Sequence, residues 1–134
     1  MIGGKILTAS AISAWANGSV YMATLVDIAI DRVITLHVPA LALTSGLFGI
    51  SMKQAESVEA RLDDAVFTYG KLDRETAPLV ALTATRWRNE GISPADAHVV
   101  NVAASHYEGW PIVTAADEAF WARFLPKAPI ERLP

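Results

Sequence analysis

Cysteine is absent from this chain of 134 residues, which removes any disulfide framework, thiolate metal site or cysteine nucleophile. Nothing ties the chain to an oxidising compartment, and a cytoplasmic protein is the expectation. There is no Gly-x-Gly-x-x-Gly and no phosphate-loop motif, and Gly3-Gly4 precedes the first apolar run, so no nucleotide cofactor is expected. No serine sits in Gly-x-Ser-x-Gly, which sets Ser10, Ser13 and Ser45 aside as elbow-type nucleophiles. Zinc-type His/Cys spacing is missing too. His98 and His106 lie two helical turns apart, and His37 falls elsewhere, in a strand-like run. Positive charge is scarce: 11 Lys and Arg stand against 14 Asp and Glu, a formal net charge of −3. Bulk electrostatic attraction to nucleic acid is therefore not expected. The local basic groups, Arg86 with Arg88 and Arg123 with Lys127 and Arg132, lie among acids or on solvated faces.

What the chain does have is apolar content, 52% of its residues. Its length suits one domain, 1–134, that buries about two-thirds of its unfolded surface. Ile6 to Val26 and Val33 to Met52 carry no Asp, Glu, Lys or Arg, a length that could span a bilayer. Their composition argues otherwise: Ser13, Asn17, Gly18 and Ser19 interrupt the first, and His37, Pro39 and Thr44-Ser45-Gly46 interrupt the second. Both read as strand-plus-helix pieces of a core, with no membrane association. The start of the chain lacks the clean apolar block of a signal peptide.

Short apolar strands alternate with helices along the chain. Lys5-Ile6-Leu7-Thr8 suits a buried strand, and Ser10 to Trp15 shifts to helix-compatible residues that Asn17-Gly18 ends. Ser19 caps a helix over Val20 to Arg32, and Val33 to Val38 is a β-branched second strand. Pro39 opens a helix running through Leu41, Leu43, Leu47 and Phe48, and Ser51 to Asp63 is an amphipathic helix. Ala65 to Tyr69 is strand-like. Asp73 or Thr76 caps a helix reaching Asn89, with Val80, Ala84 and Trp87 on one stripe and Gly91 beyond its end. Ser93-Pro94-Ala95-Asp96 is a capping box for a helix to about Tyr107. Ile112-Val113-Thr114 is a strand, Asp117 to Phe124 a short helix that Pro126 ends, and Ile130 a candidate edge strand. This alternation predicts an α/β fold, a parallel sheet covered on both faces.

The order of these segments, with Ile6-Leu7-Thr8-Ala9-Ser10-Ala11, Val38-Pro39-Ala40-Leu41-Ala42-Leu43, Leu72-Asp73-Arg74-Glu75-Thr76-Ala77, Ser93-Pro94-Ala95-Asp96-Ala97 and Ile112-Val113-Thr114 followed by Asp117 and Phe120, resembles the PIN domain. Within that family it is similar to the small VapC-type toxins of toxin–antitoxin pairs. The resemblance implies a PIN-like three-layer fold, a central parallel sheet flanked by helices. It also implies a site of acids at the carboxyl ends of strands, where magnesium or manganese activates water against an RNA phosphodiester. Hard divalent cations need several oxygen ligands for that chemistry.

Mapped onto this chain, the first acid of the family pattern falls on Thr8 and the second on Ser45, or on Thr44 in the neighbouring register. The third is Asp96. The fourth position is Ala116, with Asp117 one residue further on. One matching acid, one displaced acid and two hydroxyls make a degenerate site, so Asp96 and Asp117 are the expected metal ligands and any magnesium or manganese binding is expected to be weak. The implied function is a non-catalytic module holding protein or RNA at the old active-site face. The alternative is a weakened ribonuclease toxin using Asp96 and Asp117 with help from Thr8 and Ser45. The family also implies a homodimer, with Leu25, Ile28 and Leu47 as candidate apolar surface. Each site residue has a plainer role as well: Asp96 as capping-box partner, Asp117 as a first-turn acid, Thr114 as a cap of the last helix. Trp87 and Trp121 lie on apolar stripes and belong to core or interface rather than to base stacking.

Overall fold

The computed structural model of the protein describes residues 3–116 and 118–134. Five strands, β1 (Gly4–Leu7), β2 (Thr35–Pro39), β3 (Phe67–Gly70), β4 (Ile112–Thr114) and β5 (Ile130–Arg132), form one sheet in the order β3-β2-β1-β4-β5. Every neighbouring pair is parallel, with Ile6 opposite His37 on one side and Ile112 on the other. The connecting helices are α1 (Ala9–Ala16), α2 (Val20–Arg32), α3 (Ala40–Leu47), α4 (Met52–Glu59), α5 (Thr76–Arg86), α6 (Pro94–Ser105) and α7 (Glu118–Ala122). The α/β fold expected from the sequence is present. No described helix is long and apolar enough to cross a membrane.

Alternation along the strands separates the two helical layers. Phe67, opposite Leu36, meets Trp15 of α1 in a stacked contact at 5.8 Å. The next rung, His37 opposite Thr68, faces the other way and carries Tyr107 at 4.4 Å. The central strands β1, β2 and β4 are therefore covered on both faces, and Ile6, Leu7, Leu36, Val38, Ile112 and Val113 have no solvent exposure. Burying side chains of this size stabilises the fold by roughly 1.5–3 kcal/mol each.

Local chemistry sets the boundaries. Ser19 caps α2 by accepting from Met22 N at 3.2 Å, and Ser51 caps α4 by accepting from Gln54 N at 3.3 Å. α5 begins at Thr76 with Glu75 at the cap position, and Asp73 orders the turn leading into it, its Oδ1 accepting from the backbones of Glu75 and Thr76 at 3.0 and 2.9 Å. Those bonds hold its carboxyl below the usual range. β2 begins at Thr35, two residues later than the sequence suggests. Val33 is taken by the end of α2, where it adopts a left-handed conformation with φ of 57°. For a β-branched residue that is a strained position. Helix α5 stops at Arg86, short of the expected Asn89, because Arg88–Glu90 tightens into a 3-10 turn closed by Gly91.

Helix α3 crosses α1 at Gly46, where a Cβ would lie 2.8 Å from Ile12 Cβ and 2.9 Å from the Ala9 carbonyl oxygen. That close approach packs the last turn of α3 against the first half of α1. Leu25, expected at the surface, is 8% exposed and belongs to the core, because α2 turns this stripe inward with Met22, Val26 and Ala29. Ile28 lies on its exposed side and Leu47 is half-buried.

Candidate functional site

In the sheet order, the chain runs outward from β1 through β2 to β3, then crosses back to β4 and β5 on the other side of β1. The carboxyl ends of β1 and β4 thus flank the topological switch point, the place where open parallel sheets take ligands. Thr8 follows β1 there, Thr114 ends β4, and Ser10 sits in the first turn of α1 between them.

These three hydroxyls form a chain. Thr8 Oγ1 donates to the Val113 carbonyl at 2.9 Å and lies 3.1 Å from Ser10 Oγ, which lies 3.1 Å from Thr114 Oγ1. Backbone and indole N–H groups fill the remaining positions. Ala116 N and Trp121 Nε1 donate to Thr114 Oγ1 at 2.9 and 3.0 Å, Ala115 N to Ser10 Oγ at 2.9 Å, and Ala11 N to Thr8 Oγ1 at 3.3 Å. A hydroxyl has one proton and two lone pairs. Thr114, accepting twice already, must donate to Ser10. Ser10, accepting from Thr114 and Ala115, must donate to Thr8. Thr8, accepting from Ser10 and Ala11, spends its proton on Val113. The direction of every proton follows, and no lone pair in the chain remains for a further ligand. Thr8 and Thr114 have no solvent exposure, and Trp121 is 1% exposed.

The other sequence candidates take no part in these hydrogen bonds. Asp96 is half-buried in the first turn of α6, where its backbone N–H donates to Ser93 Oγ at 3.1 Å and its carboxylate accepts hydrogen bonds from Ser93 in return. This is the capping-box arrangement. Partial burial pushes its carboxyl above the usual range, and the bonds to Ser93 oppose that shift. Ser45 is exposed on α3, and Thr44, also exposed, turns its hydroxyl back to the Ala40 carbonyl at 3.0 Å. Asp117 lies outside the described residues.

A magnesium or manganese ion would need carboxylate oxygens converging on the switch point. Among the described residues no group of three or more His, Asp or Glu side chains is arranged to hold a metal. Sequence reasoning missed Ser10 as the link between Thr8 and Thr114; its spacing to Thr8 was visible, but the partner more than a hundred residues away was not. Arg123, one of the basic residues, is paired with Glu90 at 3.1 Å on the surface.

The three histidines, separate in sequence, line one cleft of about 840 Å³ between β3, α5 and α6. His98 is satisfied on both nitrogens: Nδ1 accepts from Leu41 N at 3.3 Å, and the ring donates to the Lys71 carbonyl. His37 has Nδ1 on Thr68 Oγ1 at 2.8 Å, while Nε2 has no partner in the structure. Burial, with smaller contributions from His98 and His106, lowers the His37 pKa to about 4. Its ring is neutral at pH 7.

No family model and no curated protein matches this chain in sequence. Among solved structures, a chain of VapBC2 from Rickettsia felis, in a complex bound to a DNA fragment from the promoter, is similar in fold. The TM-score is 0.63 with 16% identity, and the match covers 100% of both chains. That likeness, with the five-stranded parallel sheet, bears out a PIN-like α/β fold.

Proposed function

We propose that this chain is a VapC-type, toxin-related domain in which metal-dependent cleavage has been given up, and that it acts by binding protein or RNA at the old active-site face. The closed hydroxyl chain carries this reading. At the switch point, where RNA cleavage would need carboxylates and a cation, the protein instead uses each proton and lone pair to join β1, α1 and β4. A hydroxyl with free lone pairs could help to complete a metal shell, but these have none to spare. The similar fold in a complex with promoter DNA supports a macromolecular partner for a chain of this shape. Pairing of two copies is part of the proposal. The exposed Phe48, at 85%, and Met52, at 79%, supply apolar surface at the corner between α3 and α4.

Calorimetric titration of manganese into the purified protein, with Asp96→Ala as control, tests the reading. We expect no saturable binding in either protein and no metal-dependent cleavage of single-stranded RNA. Saturable binding lost in Asp96→Ala would mean that Asp96 and Asp117 still form a metal site, and the weakened ribonuclease would replace the binding module.

A further inference from the structure

We propose that the cleft between β3, α5 and α6 binds a small organic anion with a flat apolar body. None of the proposed site residues Thr8, Ser45, Asp96 and Thr114 lines it, so it is separate from the switch point. Its volume, about 840 Å³, lies within the range of pockets that hold small organic molecules.

The floor carries an unmet hydrogen-bonding demand. His37 is 3% exposed, and its Nε2 is the one buried side-chain polar atom without a partner among the described residues. A buried polar group left unpaired costs about 1–3 kcal/mol. Such a group at a cleft floor marks a place where a ligand polar group is favoured. The space beside it is kept open by Gly70, where a Cβ would stand 3.0 Å from Nε2. Because this ring is neutral at pH 7, it offers one directional hydrogen bond and no charge.

The walls and rim set the rest of the ligand. Leu79 and Leu82 lie 57% and 66% exposed at the cleft while Val80 and Val102 are buried beneath them, which gives an apolar bed for a ring. No Asp or Glu lines the cleft, although acids outnumber Lys and Arg in the whole chain. Lys71 and Arg86, both lining it, take part in no ion pair among the described residues. Two uncompensated cations over an apolar bed select an anionic head on an apolar body, since a neutral ligand would leave them unused.

The test is titration of 2-naphthoate, with 2-naphthamide as its neutral counterpart, followed by saturation-transfer NMR and by the imidazole nitrogen resonances of His37. We expect saturable naphthoate binding that shifts Nε2, and naphthamide binding weaker by about tenfold or more. The surface variant Lys71→Gln with Arg86→Gln should weaken naphthoate by a similar factor. Leu82→Glu should weaken it further and Leu82→Lys should tighten it; all of these replace exposed residues, so the fold is retained. Equal affinity for the amide, indifference to the charge variants, or no saturation at millimolar naphthoate would each overturn the proposal. So would a dimer that Leu82→Glu dissociates while naphthoate fails to bind, because a second copy would then be the occupant. The manganese titration is independent of these outcomes, so either reading can fail alone.

Discussion

Replacing Thr114 by valine keeps the shape of the side chain and deletes its hydroxyl, which makes it a direct probe of the closed chain at the switch point. The hydroxyl accepts from Trp121 Nε1 and Ala116 N and donates to Ser10. With Trp121 at 1% exposure, its indole N–H has no route to water, and leaving such a donor unpaired costs about 1–3 kcal/mol. The Ala116 N–H, half-buried, adds a smaller loss, so Thr114→Val should destabilise by about 2–4 kcal/mol. For a domain of this size that corresponds to a fall in Tm of roughly 8–15 °C. Thr114→Ser keeps the hydroxyl and removes one buried methyl, a loss of about 1 kcal/mol. Urea unfolding followed by circular dichroism and tryptophan emission measures both. Pairing Thr114→Val with Trp121→Phe closes a double-mutant cycle whose coupling should be about 1–2 kcal/mol. Valine no more harmful than serine, with zero coupling, would refute the assigned chain.

Acidification should weaken the fold through His37. Its pKa falls from an ordinary 6.5 to about 4 on folding, so its contribution is complete above pH 6.5 and is lost as pH falls toward 4. The loss amounts to about 3 kcal/mol at most, and urea midpoints across that range should flatten in His37→Phe, with His98 leaving a residual slope of the same sign. Gly46→Ala gains helix propensity but drives a methyl into Ile12, and we expect a net destabilisation of about 1–3 kcal/mol by the same assay. Thr8→Asp places a carboxylate against the Val113 carbonyl at a site with no exposure, costing about 3–5 kcal/mol at neutral pH. That penalty should shrink in acid, where the protonated acid can again donate. Adding Ser45→Glu should then create manganese-dependent thermal stabilisation; none would refute the alignment of Thr8 and Ser45 with the family acids.

The alternation of strands and helices was readable because each strand is short, β-branched or apolar and bounded by a cap. Ile112–Thr114 was placed to the residue, and Ser19, Ser51 and Ser93 marked helix starts by a chemistry that acts over three residues. What failed was governed by distance. Val33 looks like a strand residue by its side chain, yet it ends α2 so that Thr35 can enter the sheet beside Gly4. Leu25 looked available because a helical stripe does not say which side faces the core. The switch-point hydroxyls could be listed one by one, and one of them, Thr8, fell where an acid was missing. Their wiring depends on β4 lying beside β1. The histidine cleft was invisible for the same reason: His37 meets His98 and His106 only after α6 folds over β2 and β3.

The position of β1 in the middle of the sheet bears on how the protein is made. A ribosome releases β1, β2 and β3 early, and they can pair in that order, while β4 emerges only after Thr114 has been added. Until then one edge of β1 has no neighbour, and the nascent chain carries an open strand, with Ile6 and Leu7 uncovered, that invites pairing with other chains. Closing it requires a loop of more than a hundred residues, a slow kind of contact to form. The proton-ordered hydroxyls join at that same step. They act as a latch set last, and variants that weaken it should show themselves first as aggregation during synthesis, before any loss is measurable in the finished protein.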